Sequence, residues 1–98
     1  TYQGLILDPP AYGHGPGGER WKLDDCLYSL LQECAHILAG ENAFMVLNLY
    51  SNGYSALLAD TLARASFPAN GNYTFGELYL KDDYGKRLPL SVFSRIEL

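Results

Sequence analysis

The sequence predicts an α/β domain whose mostly parallel sheet ends in an antiparallel hairpin, in the order β-α-β-α-β-β. Three observations carry that prediction. Two nearly continuous apolar runs, at 2–7 and 43–49, have the pattern of parallel strands covered on both faces. Between and after them, leucines recur at spacings of three and four, the period of a helix with one apolar stripe. The last third changes to alternation at 73–81 and 88–96, and the six residues between them are too few for anything but an antiparallel return.

The first strand stops on Asp8-Pro9-Pro10-Ala11-Tyr12-Gly13. Proline fixes its own φ and drives the preceding residue toward extended backbone, so Asp8 and Pro9 cannot begin a helix. A carboxylate and a stiff loop therefore stand at the carboxyl edge of the sheet, where α/β folds bind ligands. Residues 13–18 place four glycines in six positions, which predicts a mobile loop, serving as a lid, a recognition segment or a plain linker.

Asp24 or Asp25 is positioned to cap a helix running to about residue 39, with Gly40 as its left-handed stop. Leu27, Leu30, Leu31, Cys34 and Leu38 form its inner stripe, and His36 lies opposite, in solvent. The strand at 43–49 leaves through Tyr50-Ser51-Asn52-Gly53-Tyr54. A second helix follows at 55–65, with Leu57, Leu58, Thr61 and Leu62 expected inside. Residues 81–87 carry turn chemistry between the closing strands.

The 98 residues suffice for one small domain, spanning 1–98. With 48% hydrophobic and 18% charged residues the composition is that of an ordinary folded chain. The net charge of −4 and the absence of a lysine or arginine run argue against a chain that grips nucleic acid through its own phosphate-binding patch, so any RNA or DNA substrate would need basic surface from elsewhere. No apolar run reaches the ~20 residues of a membrane span and no signal-like segment opens the sequence, so a cytoplasmic protein that does not engage a membrane is expected. Cys26 and Cys34 are eight residues apart, about 12 Å along a helix, too far for a disulfide. Neither has zinc-site spacing, and no metal is expected.

The Asp8-Pro9-Pro10 element, with Tyr12 as its aromatic, resembles motif IV of class I S-adenosylmethionine-dependent methyltransferases, in the DPP-x-aromatic form of large-subunit ribosomal RNA methyltransferases. The closing hairpin and the strand around Leu88-Pro89-Leu90-Ser91-Val92-Phe93 are similar to the end of the same fold. The resemblance implies the second half of a Rossmann-like methyltransferase. The half that would carry a glycine-rich turn for the cofactor is not matched.

The implied roles follow residue by residue. Asp8 orients the target or accepts its proton and faces the cofactor; Pro9 and Pro10 present carbonyls. Tyr12 stacks on the base, and Ser51 with Asn52 completes the pocket floor. Trp21, with His14, Arg20 and Lys22, contacts substrate, or the indole simply anchors its loop. The stretch Tyr50-Ser51-Asn52-Gly53 has no cysteine for carbon-5 chemistry, so nitrogen methylation of a ribosomal RNA base is expected.

The implied cofactor is S-adenosylmethionine, bound weakly or not at all by this chain. The implied partners are RNA, in the complete enzyme, and either a second copy or the missing amino-terminal half at the open strand edge. A different reading is a non-catalytic half-domain that assembles through that edge.

Overall fold

A computed structural model describes residues 1–50 and 53–98. The elements are β1 (Gly4–Leu7), β2 (Tyr12–His14), β3 (Arg20–Lys22), α1 (Leu23–Ile37), β4 (Phe44–Leu49), α2 (Ala56–Ser66), β5 (Asn72–Lys81) and β6 (Arg87–Glu97). Four of the strands make one mixed sheet in the order β1-β4-β6-β5. β1 runs parallel to β4, and β6 is inserted antiparallel between β4 and β5. The expected α/β architecture with a terminal antiparallel hairpin is present, but only β1 and β4 pair in parallel, so the sheet is mixed rather than mostly parallel.

Alternation along β4 divides the sheet. Met45, Leu47 and Leu49 are buried and join one core with Leu23, Leu27, Leu31, Cys34 and Leu38 of the α1 region and Ala59 and Ala63 of α2. Both helices thus cover the same face. The expectation of cover on both faces fails: Ile6 in β1 is 76% exposed and Phe44 in β4 is 42% exposed. Among the described residues, nothing packs on the second face to bury them.

The ends of α1 differ from the predicted caps. Lys22, the last residue of β3, is the N-cap with extended backbone and no side-chain cap, while Asp24 and Asp25 sit in the first turn, favourably placed for the helix dipole. The helix ends at Ile37 because Leu38 turns extended and the chain joins Tyr2, through Tyr2 N–H to the Ile37 carbonyl and Ala39 N–H to the Tyr2 carbonyl. Gly40 is not left-handed; Asn42, at φ 52°, takes that conformation.

α2 is capped by Ser55, whose hydroxyl accepts the Leu58 N–H at 3.0 Å. Its inner face is Ala59, Asp60 and Ala63, whereas Leu57 is 63% and Leu58 43% exposed. Small side chains let the helix approach the sheet, so Leu57, Leu58 and Thr61 of the stripe predicted as inner are turned outward, while Leu62 is half-buried against the core. Asp60 is buried and holds Arg64 at 2.8 Å, and that guanidinium lies 4.6 Å from the centre of the Tyr73 ring.

Residues 13–18 are not an irregular loop. Tyr12–His14 and Arg20–Lys22 pair antiparallel, as Tyr12 with Lys22, Gly13 with Trp21 and His14 with Arg20. The glycines form the turn of this ribbon, with Gly18 at φ 84°. The carboxylate of Glu19 folds back to accept the Gly17 N–H at 2.9 Å. A side chain at Gly15 or Gly17 would push that carboxylate off the turn.

Candidate functional site

Because β1 and β4 are parallel and Leu7 pairs with Leu47, the residues that follow in each strand, Asp8 and Asn48, emerge side by side at the carboxyl edge. The Asn48 amide donates to Asp8 Oδ1 at 3.2 Å. From the other side, the Ser91 hydroxyl donates to Asn48 Oδ1 at 2.6 Å. The chain Ser91–Asn48–Asp8 spans three strands and fixes which way the amide points. Turned over, its oxygen would face the carboxylate and repel it.

Ser91 reaches this position next to an irregularity in the terminal hairpin. Leu78 pairs with Ser91 but Tyr79 pairs with Pro89, so Leu90 is an extra residue in β6. Such a bulge re-aims neighbouring side chains and is common beside functional sites. Asp8 Oδ2 has no partner among the described residues, and Asp8 is exposed. It is available to an N–H placed above it.

The proline segment is tied down behind this carboxylate. The Trp21 indole N–H donates to the Pro10 carbonyl at 2.7 Å, and the Leu23 N–H donates to the Ala11 carbonyl at 3.0 Å. Of the two proline carbonyls expected to meet substrate, Pro10's is therefore already engaged by Trp21. Pro9's accepts no hydrogen bond among the described residues. Trp21 acts as the anchor of the ribbon, one of the two roles open to it from the sequence.

Tyr12 begins the ribbon two residues after Pro10 and is 65% exposed. Ser51 and Asn52 lie outside the described residues. Their flanks, Tyr50 and Gly53, line a 240 Å³ depression with Tyr54, Glu77 and Ser91, adjacent to the Asn48 relay. Tyr54 donates its hydroxyl to Asp24, and burial first, then that hydrogen bond, pushes its pKa up to about 12. Burial also raises the Cys34 thiol, with the Glu33 charge adding to the effect; both cysteines are free.

Asn48 and Ser91 were not visible as site residues in the sequence. One looks like an interruption in an apolar strand, the other like ordinary strand alternation, and only the register joins residues 43 positions apart. Among the described residues no group of three or more histidine, cysteine, aspartate or glutamate side chains is placed to hold a metal ion. Nor is any helix of the described residues long and apolar enough to cross a membrane.

Neither a protein-family model nor a curated protein matches the chain. Among solved structures, a SAM-dependent methyltransferase from Agrobacterium tumefaciens is similar at 36% sequence identity, with a TM-score of 0.89. The match covers 99% of this chain and 33% of that one. The chain thus spans about a third of the length of the protein it resembles, and its sheet is that of a Rossmann-like methyltransferase half-domain closed by an antiparallel hairpin.

Among the described residues the glycine cluster does not form a cradle for a nucleotide cofactor. The glycines at 15, 17 and 18 belong to the ribbon turn and are closed over by Glu19, rather than opening a helix after a parallel strand.

Proposed function

We propose that this chain is the acceptor-side portion of an S-adenosylmethionine-dependent methyltransferase acting on a ring or exocyclic nitrogen of a ribosomal RNA base. The relay that holds Asp8 carries this reading. A carboxylate at the carboxyl edge of a parallel strand, with one oxygen fixed by Asn48 and the other open, is built to orient an N–H and to take its proton. Pro9 presents a carbonyl to the same amine, and Tyr12 offers its ring to the flat face of the base.

The similarity to a SAM-dependent methyltransferase supports the reaction class. The absence of a cysteine in Tyr50-Ser51-Asn52-Gly53 favours nitrogen over carbon-5. The donor is held by a partner segment, and the isolated chain is inactive and cytoplasmic.

Calorimetry with S-adenosylmethionine and the isolated chain should give no heat; one-to-one binding would show that the chain completes a cofactor site by association. The acceptor is tested with the chain joined to a segment that binds the cofactor. Tritiated methyl transfer to ribosomal RNA, followed by nucleoside mass spectrometry, should yield an N-methylated base. Asp8→Asn should lower kcat by about 100-fold, in the range for loss of a proton acceptor. A C5-methylated pyrimidine as the product would sink this reading.

A second reading is favoured by the free edge of β1 and the 76% exposure of Ile6: a non-catalytic half-domain assembling through that edge with a second copy or a missing half. A concentration-independent monomer in analytical ultracentrifugation would contradict it.

A further inference from the structure

The two edges of the sheet are unlike. β1 offers four residues, whereas β5, at the other end of the order β1-β4-β6-β5, offers ten. An edge strand presents backbone N–H and C=O groups that no neighbour takes, and folded proteins blunt such edges with short strands, prolines, bulges or charged side chains. β5 is long and has no proline, and the extra residue of the hairpin bulge, Leu90, belongs to β6. Its charges, Glu77 and Lys81, are the one such device present, and they cancel against a copy of themselves.

The stretch Glu77-Leu78-Tyr79-Leu80-Lys81 reads as its own antiparallel complement. With a two-fold axis through Tyr79, Glu77 stands opposite the partner's Lys81, Leu78 opposite the partner's Leu80, and Tyr79 opposite its own equivalent. Alternation puts both leucines on the face of the sheet that carries Ser91, and the acid, the phenol and the base on the other. The pairing therefore joins leucine to leucine on one face and acid to base on the other.

This stretch is free to pair. All five residues are exposed, Leu80 at 58%. Leu88, which pairs with Leu80 across the hairpin, is exposed as well and widens the apolar strip. Neither Glu77 nor Lys81 forms an ion pair among the described residues, and the other cation on their face, Arg87, lies over the Tyr79 ring at 4.9 Å. Past Lys81 the edge stops, because Asp82 accepts the Tyr84 and Lys86 N–H groups and turns the chain.

We infer that β5 pairs antiparallel with β5 of a second copy about Tyr79, joining two four-stranded sheets into one. A strand of another protein can take the same backbone groups, but a copy of this chain matches charges and leucines in a single register. Opposite charges and apolar side chains facing each other across two strands are the pairs that stabilise a sheet. The interface is small, so the dimer is weak and concentration-dependent. It lies at the opposite edge from β1 and does not depend on the catalytic reading.

Sedimentation velocity of the purified chain over a wide range of concentration tests the pairing. The expected result is a reversible monomer–dimer equilibrium that weakens as salt rises. Glu77→Lys and Lys81→Glu each set like charges opposite one another, twice by symmetry, and each should weaken the dimer about tenfold. An equimolar mixture of the two variants should recover association close to that of the unaltered chain, because every acid then meets a base across the seam. Glu77→Lys combined with Lys81→Glu in one chain should recover it alone.

A monomer at all concentrations would overturn the inference. A dimer broken by Ile6→Ser and indifferent to both charge variants would assign the contact to β1 and overturn it as well. If the mixture fails to associate while circular dichroism shows both variants folded, the register about Tyr79 is wrong and β5 belongs to a strand of another protein.

Discussion

The two faces of the central sheet are made by the same strands and do opposite things. On the covered face Met45, Leu47 and Ile96 are fully buried beneath the two helices. On the other, Ile6 and Phe44 stand in solvent, and Asn48 and Ser91 carry the hydrogen bonds that hold Asp8. One face supplies stability, and the other holds the carboxylate proposed to act on the substrate. Because side chains alternate along a strand, the two can be altered one residue apart with separate consequences.

The largest effect is expected on the covered face. Leu47→Ala removes a fully buried side chain and should cost about 2–5 kcal/mol in urea denaturation. A loss under about 1 kcal/mol would mean that the core is loosely packed. Its neighbour Asn48→Ala lies on the open face and breaks two hydrogen bonds, for about 1 kcal/mol of stability. In the chain joined to a segment that binds the cofactor, its main effect should be a fall in kcat for the proposed methyl transfer with little change in KM, because Asp8 loses its orientation. An equal fall in stability and activity for both variants would erase the distinction between the faces.

Alkaline titration sharpens the comparison at the helix side. Burial and the hydrogen bond to Asp24 push the pKa of the folded Tyr54 hydroxyl up to about 12 from its ordinary 10.0. The stability this shift contributes is therefore complete below about pH 10 and is lost as pH rises through 12. Tyr54→Phe should flatten the stability curve over that interval, measured by denaturation at stepped pH. An unchanged curve would show that the phenol is not coupled to folding.

Smaller effects follow. Ile6→Ser should change stability by no more than about 0.5 kcal/mol, since the side chain is already in water, yet it should weaken any self-association through the β1 edge seen by ultracentrifugation. Ser94→Ala is expected to be neutral or slightly stabilising in thermal melts, because the Ser94 hydroxyl is buried and has no hydrogen-bond partner among the described residues. A marked destabilisation would reveal a partner such as an internal water.

Legibility from sequence divides by the range of the interactions. The α1 stripe of Leu27, Leu31, Cys34 and Leu38 was readable because helical periodicity is local, and all four are buried. The stop at Asp8-Pro9-Pro10 and the turn at 82–86 were readable for the same reason. There Asp82 accepts the Tyr84 and Lys86 N–H groups, and Gly85 is left-handed at φ 82°.

The inner face of α2 misled, because leucine outranks alanine in hydrophobicity while close approach to the sheet selects Ala59 and Ala63. The glycine-rich segment misled as well. Backbone entropy argues against pairing there, yet the Trp21 indole bond and the folded-back Glu19 carboxylate hold the ribbon.

Outside the β2–β3 ribbon, element types and their order, the carboxylate at the end of the first strand and the antiparallel close are thus written in local patterns of side-chain polarity and backbone constraint. The partners of that carboxylate are not, and neither are the free edge of β5 and the exposed second face of the sheet. Each depends on strand register and on which surfaces meet, and these are settled by packing among residues tens of positions apart. A shift of one position would have sent Asn48 into the core and Leu47 into solvent.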